Sequence, residues 1–420
     1  MIQIKRTLVP AIPDDILVQI LEKLPAKPLL RFKSVSKSWY SIIEDQEFAD
    51  GFRLRSHNRG TNLLVRKIRF GKRTVEGQNT RVYDFSVIDS EGQSVPVAVP
   101  NILKNTFFHL DQPVEGLVLC NNLIWNPTTG KFIDLPPRNP NPYAKEISEK
   151  MGNMRGCYHS GAWSKYFLGF DVSSKKYKVL SICLTWLERK PIRANNDDIF
   201  YKEFDINENQ VHVHAEVLTL GTNSWKILSI DYSVQQDLSK GFTVKTSCSI
   251  NGAIYSIITP HSKLSVMSSS ESECILAFDL SHEKFQLLLL PRRVYVDFAG
   301  EIGGRLAIID VYGERIWMLE EAFEGGKWTA VDLFLAKSWA RMKLSEGRLI
   351  AVYPIGSCQN GEILFRVSEI VSSSGQELGS TIFGYNMESK DVRMVTKLDD
   401  FVDDRDNIVS GLVETIHPLN

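Results

Sequence analysis

The residue pairs that come closest to chemistry in this sequence are His212 with His214 in "VHVHAEV" and Cys157 with His159 in "RGCYHSGAW". Side chains two apart on a strand leave the same face, so the two imidazoles would form half of a metal site. Completing it needs further His or Cys at ligand spacing, which the chain lacks, and an exposed strand face accounts for the pair equally well. The thiol and imidazole at 157 and 159 suggest a nucleophile with its base. Alternation this close does not build one, and a loop is the easier reading. No G-x-S-x-G, G-x-x-x-x-G-K-[ST] or G-x-G-x-x-G occurs, which removes the common hydrolase, phosphate-loop and dinucleotide signatures. The glycines of "GEIGGR" (300–305) fit a hairpin turn. Six cysteines are scattered without a CxxC pair, so neither a zinc site nor a redox motif is indicated. The expectation is no catalytic residue, no metal and no cofactor.

Charge points the same way. Lys and Arg number 49 against 50 Asp and Glu, a net charge of −1, which gives no electrostatic case for nucleic acid or a membrane surface. "VRKIRFGKR" (65–73) alternates charged and apolar residues, as a strand with a solvated face does, and "LDDFVDDRD" (398–406) reads as a solvated loop or tail. The N-terminal "MIQIKRTLVPAIPDD" lacks the apolar core of a signal peptide. No apolar run approaches the roughly 18 residues of a membrane span. A soluble chain is expected, cytoplasmic and/or nuclear.

What the elements position is therefore a surface and not a reaction centre. Residues 12–43 read as compact helices. Asp14 and Asp15 follow Pro13 and open a helix at the end where carboxylates are favoured. Ile16, Leu17, Ile20, Leu21 and Leu24 then form a broad apolar stripe, and Pro25 ends it. "AKPLLRF" restarts a helix, with Pro28 tolerable in a first turn. Leu29, Leu30, Phe32, Val35, Trp39, Ile42 and Ile43 carry the pattern through a second and third helix. A unit of roughly 45 residues is near the size below which a core alone rarely holds a fold. Two readings follow: the helices pack on the downstream domain, or part of the stripe is kept for another protein, as helix-in-groove recognition needs.

The rest of the chain reads as strands and turns. Hairpin units recur, clearest in "LIWNPTTGKFIDLPP" (123–137), "YFLGFDVSSKKYKVLSI" (166–182), "AEVLTLGTNSWKILSI" (215–230) and "CILAFDLSHEKFQLLLLP" (274–291). Looser copies lie at 315–333 and 381–398, with another at 82–99. Asn, Asp, Gly or Ser stands between alternating strands in each, the hairpin signal. "NG" in 247–258 and "GG" in 301–310 supply tight turns between shorter strand pairs. Turn centres about 40 to 60 residues apart suit four-stranded propeller blades of the kelch or WD type. Radial stacking covers each sheet with its neighbours and keeps edges short. The fold class expected is α+β by domain: a small N-terminal all-α unit over 8–55, then a large all-β domain over 60–415, a six- or seven-bladed β-propeller. Polar insertions at 138–156, 187–210, 260–273 and 367–380 are candidate recognition loops.

"IPDDILVQILEKLPAKPLLRFKSVSKSWYSIIEDQEFADGFRLRS" closely resembles the F-box in the form abundant in plants. Pro28 stands where Ser or Thr is common and Ser34 where Cys is frequent, and neither departure removes an apolar anchor. The succession "GLVLC", "IWNPTTGKFIDLPP", "YFLGFDVSSKKYKVLSI", "EVLTLGTNSWKIL" and "SCSINGAIYSI" resembles the F-box-associated domain of plant F-box proteins. The resemblance implies docking on the adaptor Skp1 and, through it, on the cullin and RING protein of an SCF ubiquitin ligase. The β-domain would hold a target protein. It assigns the Skp1 interface to Ile12, Pro13, Ile16, Leu17, Ile20, Leu21, Leu24, Pro25, Leu29, Leu30, Val35 and Trp39. Two other classes stay open. One is a Skp1-bound module outside the ligase, which would bind Skp1 but not assemble with cullin. The other is a propeller sensor or enzyme, which a bound metabolite would reveal.

Overall fold

The computed structural model describes residues 12–56, 62–73, 79–88, 93–104, 112–143, 149, 158–189, 211–239, 241–260, 273–291, 294, 296, 298–310, 314–320, 322–324, 326–333, 348–357, 362–371, 377–398, 408–417 and 419. The helical unit comes first: α1 (Asp14–Glu22), α2 (Ala26–Phe32), α3 (Lys37–Glu44) and α4 (Gln46–Ser56). Each start has a local cause. Pro13 and Pro25 hold extended backbone before α1 and α2. The Ser36 hydroxyl accepts the N–H of Trp39 at 3.2 Å, and Asp45 accepts those of Glu47 and Phe48 at 3.0 and 3.1 Å, so α3 and α4 are capped by side chains. The fourth helix was not among the three expected. It brings Phe48, Ala49 and Phe52 into the core at i, i+1 and i+4.

The all-β part is a six-bladed propeller, the lower of the two expected counts. Blade 1 holds β1 (Asn62–Arg73), β2 (Asn79–Ile88) and β3 (Ser94–Pro96). Blade 2 holds β4 (Val118–Cys120), β5 (Leu123–Trp125) and β6 (Phe132–Asp134). Blade 3 holds β7 (Tyr158–Asp171), β8 (Lys176–Arg189), β9 (Val211–Thr219) and β10 (Lys226–Ile227). Blade 4 holds β11 (Phe242–Ile250), β12 (Ala253–Pro260), β13 (Cys274–Asp279) and β14 (Lys284–Leu289). Blade 5 holds β15 (Phe298–Ile302), β16 (Arg305–Asp310), β17 (Arg315–Glu320) and β18 (Lys327–Asp332). Blade 6 holds β19 (Arg348–Ser357), β20 (Glu362–Val371), β21 (Glu377–Asn386) and β22 (Val392–Leu398). The last strand, β23 (Ile408–Leu412), returns to pair antiparallel with β1, completes blade 1 and closes the ring.

In blade 2 the innermost position falls to the short segment ending at Val114. Val114 and Leu117 exchange backbone hydrogen bonds of 2.8 and 3.0 Å around Glu115 (φ 47°) and Gly116 (φ 85°). The same pair of positive φ angles recurs at Asn251 and Gly252 between β11 and β12, the turn whose twist matches paired strands.

One side-chain device repeats in the hairpins. Asn126, Asp171, Asp279 and Asn386 each use a side-chain oxygen to accept two backbone N–H groups, two and three residues on. The backbone then turns through positive φ at Gly130, Lys175, Glu283 and Lys390. This Asx turn is what the "N/D-x-x-x-[G/K/E]" spacing encodes. The 381–398 copy carries it in full. The 315–333 copy has a 3-10 turn, Ala322–Glu324, instead.

Apolar side chains of neighbouring blades meet in six separate cores, from Leu64, Phe85 and Trp125 between blades 1 and 2 round to Leu63, Val65, Leu364 and Ile382 between blades 6 and 1. Middle strands are covered on both faces, as in β12, while the outer β14 is buried only at Phe285 and Leu288. That is why the inner repeats read as continuous apolar runs.

Candidate functional site

The two registers of α1 have different fates. Leu17 and Leu21 are 3% and 0% exposed, packed with Leu29, Ile43, Phe48 and Phe52. Ile16 and Ile20, each one residue earlier, are 43% and 44% exposed. Ile12, Val35 and Tyr40 are also exposed, and so are Pro13 and Pro25. Leu24, Leu30 and Trp39 are half-buried, the last with its ring edge-on to Phe32 at 5.2 Å. Of the twelve residues expected at the interface, Leu17, Leu21 and Leu29 thus form the core. The other nine retain accessible surface. A helix of nine residues cannot bury both stripes inside so small a unit, and the outer stripe is left open. Ion pairs hold the frame: Lys33 to Glu44 at 2.5 Å and Arg55 to Glu22 at 3.0 Å.

The other candidates do not assemble a reaction centre. His212 and His214 share a face, as their spacing requires, but that face is covered. An extended segment crosses it, with Tyr143 stacked on His212 at 4.3 Å, Asn139 donating to Glu216 at 2.5 Å and Asn141 donating to Thr185 at 2.7 Å. His214 is buried 3.6 Å from Glu216. No group of three or more His, Cys, Asp or Glu that could hold a metal occurs among the described residues. Cys157 lies outside the described residues, while His159 stands in β7. The "GEIGGR" glycines form the β15–β16 hairpin, with positive φ at Gly303 and Gly304. Arg66, from the basic run expected on a solvated face, is instead fully buried with its guanidinium 5.2 Å from the Tyr83 ring. Burial pushes the Cys248 thiol up to about 12 and, less strongly, the Cys274 thiol up to about 11, so both stay protonated and unreactive. Near the propeller axis the Gln112 amide donates to the Ala299 carbonyl at 3.2 Å. The cavity beside it, between Val114, Phe167 and Cys248, holds only about 10 Å³. An open cleft of about 430 Å³ lies between blades 1 and 2, lined by Val99, Leu123, Phe132 and Asp134. No helix among the described residues is long and apolar enough to cross a membrane.

A helical unit with an uncovered apolar stripe, followed by a closed propeller, agrees with the known families. Residues 10–50 match the F-box domain, and residues 77–410 match the F-box associated beta propeller domain. The chain belongs to the F-box associated beta propeller family. Relatives include the putative F-box protein At1g47790 of Arabidopsis thaliana, 27% identical over 77% of this chain and 72% of that protein. The F-box protein At4g19940 of the same plant is 24% identical over 92% of this chain and 86% of that protein. Among solved structures, a prolyl endopeptidase aligns at 9% identity and TM-score 0.28, over 88% of this chain and 54% of that chain. A lignostilbene dioxygenase of Pseudomonas brassicacearum aligns at 8% identity and TM-score 0.31, over 82% and 90%. At such scores neither alignment bears on activity.

In this F-box protein the two modules are joined by a polar seam. Arg53 of α4 is buried, paired with the Glu115 carboxylate and lying 4.3 Å over the Phe170 ring. The Tyr177 hydroxyl donates to the Glu115 carbonyl at 2.7 Å, and burial, with Glu115 nearby, holds its phenol above the usual range. Lys131 approaches Glu44 at 3.9 Å. Sequence reasoning missed Arg53, because nothing in "GFRLRS" distinguishes it from the exposed charges around it.

Proposed function

We propose that this chain is the substrate-recognition subunit of an SCF-type ubiquitin ligase and acts by proximity, without an active site of its own. The outer face of the F-box, with Ile12, Pro13, Ile16, Ile20 and Val35 exposed and Leu24, Pro25, Leu30 and Trp39 beside them, docks on a Skp1-type adaptor. Leu17, Leu21 and Leu29 support that face from within. Cullin and RING protein follow through the adaptor, and the propeller holds a target protein. A target lysine kept near an activated thioester gains effective concentration. The observation that carries this reading is the exposure of Ile16 and Ile20, with Ile12 and Val35, on a unit whose Leu17, Leu21 and Leu29 are packed inside. Neither nucleic acid nor membrane is a partner in it, and its compartment is the cytoplasm, the nucleus or both. The F-box is taken as residues 8–55 and the propeller as 60–415.

The F-box meets the propeller face formed by the turns at Glu115 and Lys131 and by the ends of β7 and β23. The insertions at 138–156, 187–210 and 260–273 join strand ends of the other face, whereas 367–380, expected as a loop, is mostly the paired ends of β20 and β21, with Val367, Ser368 and Ser380 buried. The target is assigned to that second face, since alternating strands send alternate connections to opposite sides.

Co-expression with Skp1 and a cullin, with purification through a tag on this chain, tests the reading. The parent is expected to retain both partners and an Ile16→Asp/Ile20→Asp variant neither, because the exposed positions take a charge without loss of fold. Recovery of both partners by that variant rejects the docking face. Recovery of Skp1 alone by the parent favours a module acting outside the ligase.

A further inference from the structure

The residues that follow β23 are two-sided. Glu414 and Ile416 point to the F-box, whereas Thr415 and His417 point to blades 2 and 3. Glu414 accepts the N–H of Ala26 at the start of α2, at 3.3 Å, one of the donors a helix leaves without an internal partner. Ile416 is 1% exposed and sits in the same core as Leu17, Leu21, Leu29 and Phe52. On the other side, the Thr415 carbonyl accepts from the Asn126 amide at 3.0 Å. The His417 ring stands edge-on to Tyr177 at 5.0 Å. Gly116 makes the passage possible: a Cβ there would lie 2.5 Å from the Val413 carbonyl oxygen and the Thr415 methyl.

The F-box therefore does not complete its own core. Its missing side chain arrives from a position nearly at the far end of the sequence, four residues beyond the strand that closes the ring. β23 fixes where that residue falls, because Leu64 and Val65 of β1 pair with Val409 and Ile408. A unit this small is short of core, so one absent branched side chain is a large fraction of what holds α1 against α4.

We infer that docking competence of the F-box is conditional on closure of the propeller, with Ile416 as the positioning residue that transmits it. The inference rests on the proposed docking of the F-box face on a Skp1-type adaptor. A chain that is truncated, or whose blade 1 lacks its last strand, presents α1 without its support. Such a chain is kept out of the ligase until its target-binding domain is whole.

The test uses the full chain with Ile416→Asp, the conservative Ile416→Leu, and Val409→Pro, which opens the ring without touching the F-box. Titration calorimetry with purified Skp1 gives affinity, and amide hydrogen exchange reports α1, α4 and blades 4 and 5 separately. Ile416→Asp and Val409→Pro are expected to weaken adaptor binding by about tenfold or more and to speed exchange in α1 and α4, and Ile416→Leu to restore both. If blades 4 and 5 also open in Ile416→Asp, Ile416→Ala is read in its place. Parent-like affinity together with parent-like protection of α1 and α4, in Val409→Pro or in the Ile416 variant read, overturns the proposal. A parent that ignores Skp1 while its α1 and α4 amides still depend on Ile416 and Val409 rejects the docking function and leaves the coupling standing.

Discussion

The core of the F-box and the cores between blades solve the same problem with different means. Each inter-blade core is formed by two sheets meeting face to face, so every blade is both covered and covering. The F-box has no repeat to lean on. It turns Leu17 and Leu21 inward, leaves Ile16 and Ile20 uncovered, and takes Ile416 from the end of the propeller. Repetition yields closed surfaces, while a lone small unit yields a borrowed core residue and one open face. The open face is the part fit for a partner.

The sharpest way to break this comparison is to exchange the two stripes of α1. Leu21→Ala should cost about 2–5 kcal/mol, because the methyls it removes are fully buried. Ile20→Ala should stay within about 0.5 kcal/mol, as exposed positions do. Urea denaturation followed at the F-box, for instance by Trp39 fluorescence, measures both. Equal losses would mean that the two stripes are not distinct.

The seam comes next. Arg53→Met keeps the packing over Phe170 but removes the partner of Glu115, and the loss should be about 1.5–3 kcal/mol, as for hydrogen bonds to charged groups. Glu115 retains some water, which places the effect below that of Leu21→Ala. Chemical denaturation of the full chain should show it, with the F-box signal moving first. If the signals of blades 4 and 5 move first instead, Arg53 does not hold the seam.

A pH dependence separates the two kinds of core further, because the carboxylates held most firmly lie between blades 3 and 4. Burial alone would raise the Asp171 carboxyl. Hydrogen bonds from Ser174, Ser281 and the Lys178 ammonium outweigh it and hold the group well below the usual carboxylate range. Glu283 is likewise opposed by burial and lowered by Lys226 and Lys178, and Asp279 by His282 and Ser281. Folded values below unfolded ones stabilise the protein fully above the unfolded pKa of about 4. That contribution disappears as pH falls through the folded values. Stability measured at pH 7, 4 and 3 should therefore fall toward acid, and less steeply in Asp171→Asn. An unchanged slope in that variant would remove Asp171 from the account.

These differences decide what could be read from residue order. The hairpins were legible because the signal is local: "FDVSSKKYK" contains its Asx acceptor, its turn, the end of one strand and the start of the next within nine residues. The F-box was legible as a pattern, yet the pattern does not divide itself into faces. Leu17 and Ile16 are equally apolar, and only the position of Phe52 and Ile416 makes one of them core. Ile416 could not be found from sequence, since "VETIHPLN" has no periodicity that links it to residue 17. The same holds for His212 and Glu216, whose cover comes from Tyr143 and Asn139, about seventy residues away in the chain. Blade 2 is harder to count from sequence, since among the described residues its innermost position shows only the Val114–Leu117 bridge.

The smallest effect tests whether the repeated turn is one device with interchangeable parts. Gly130, Lys175 and Glu283 occupy the same turn position at φ 72°, 54° and 55°. A side chain in the left-handed region costs about 1–2 kcal/mol, and glycine returns part of that as unfolded-state entropy, about 0.5–1 kcal/mol. Lys175 is exposed, so Lys175→Gly should stabilise by about 0.5 kcal/mol on the same balance. Glu283 relieves the same strain on substitution but loses Lys178 at 3.2 Å and Lys226 at 2.6 Å. Lys178 is buried with its ammonium also on the Leu280 carbonyl, and removing one of its two carboxylates leaves that charge less compensated. Glu283→Gly should therefore destabilise although its backbone gains. Opposite signs for the two variants in thermal denaturation would show that the turn is shared while the seam between blades 3 and 4 is not. A gain in both would assign the Glu283 ion pairs no net part in holding those blades together.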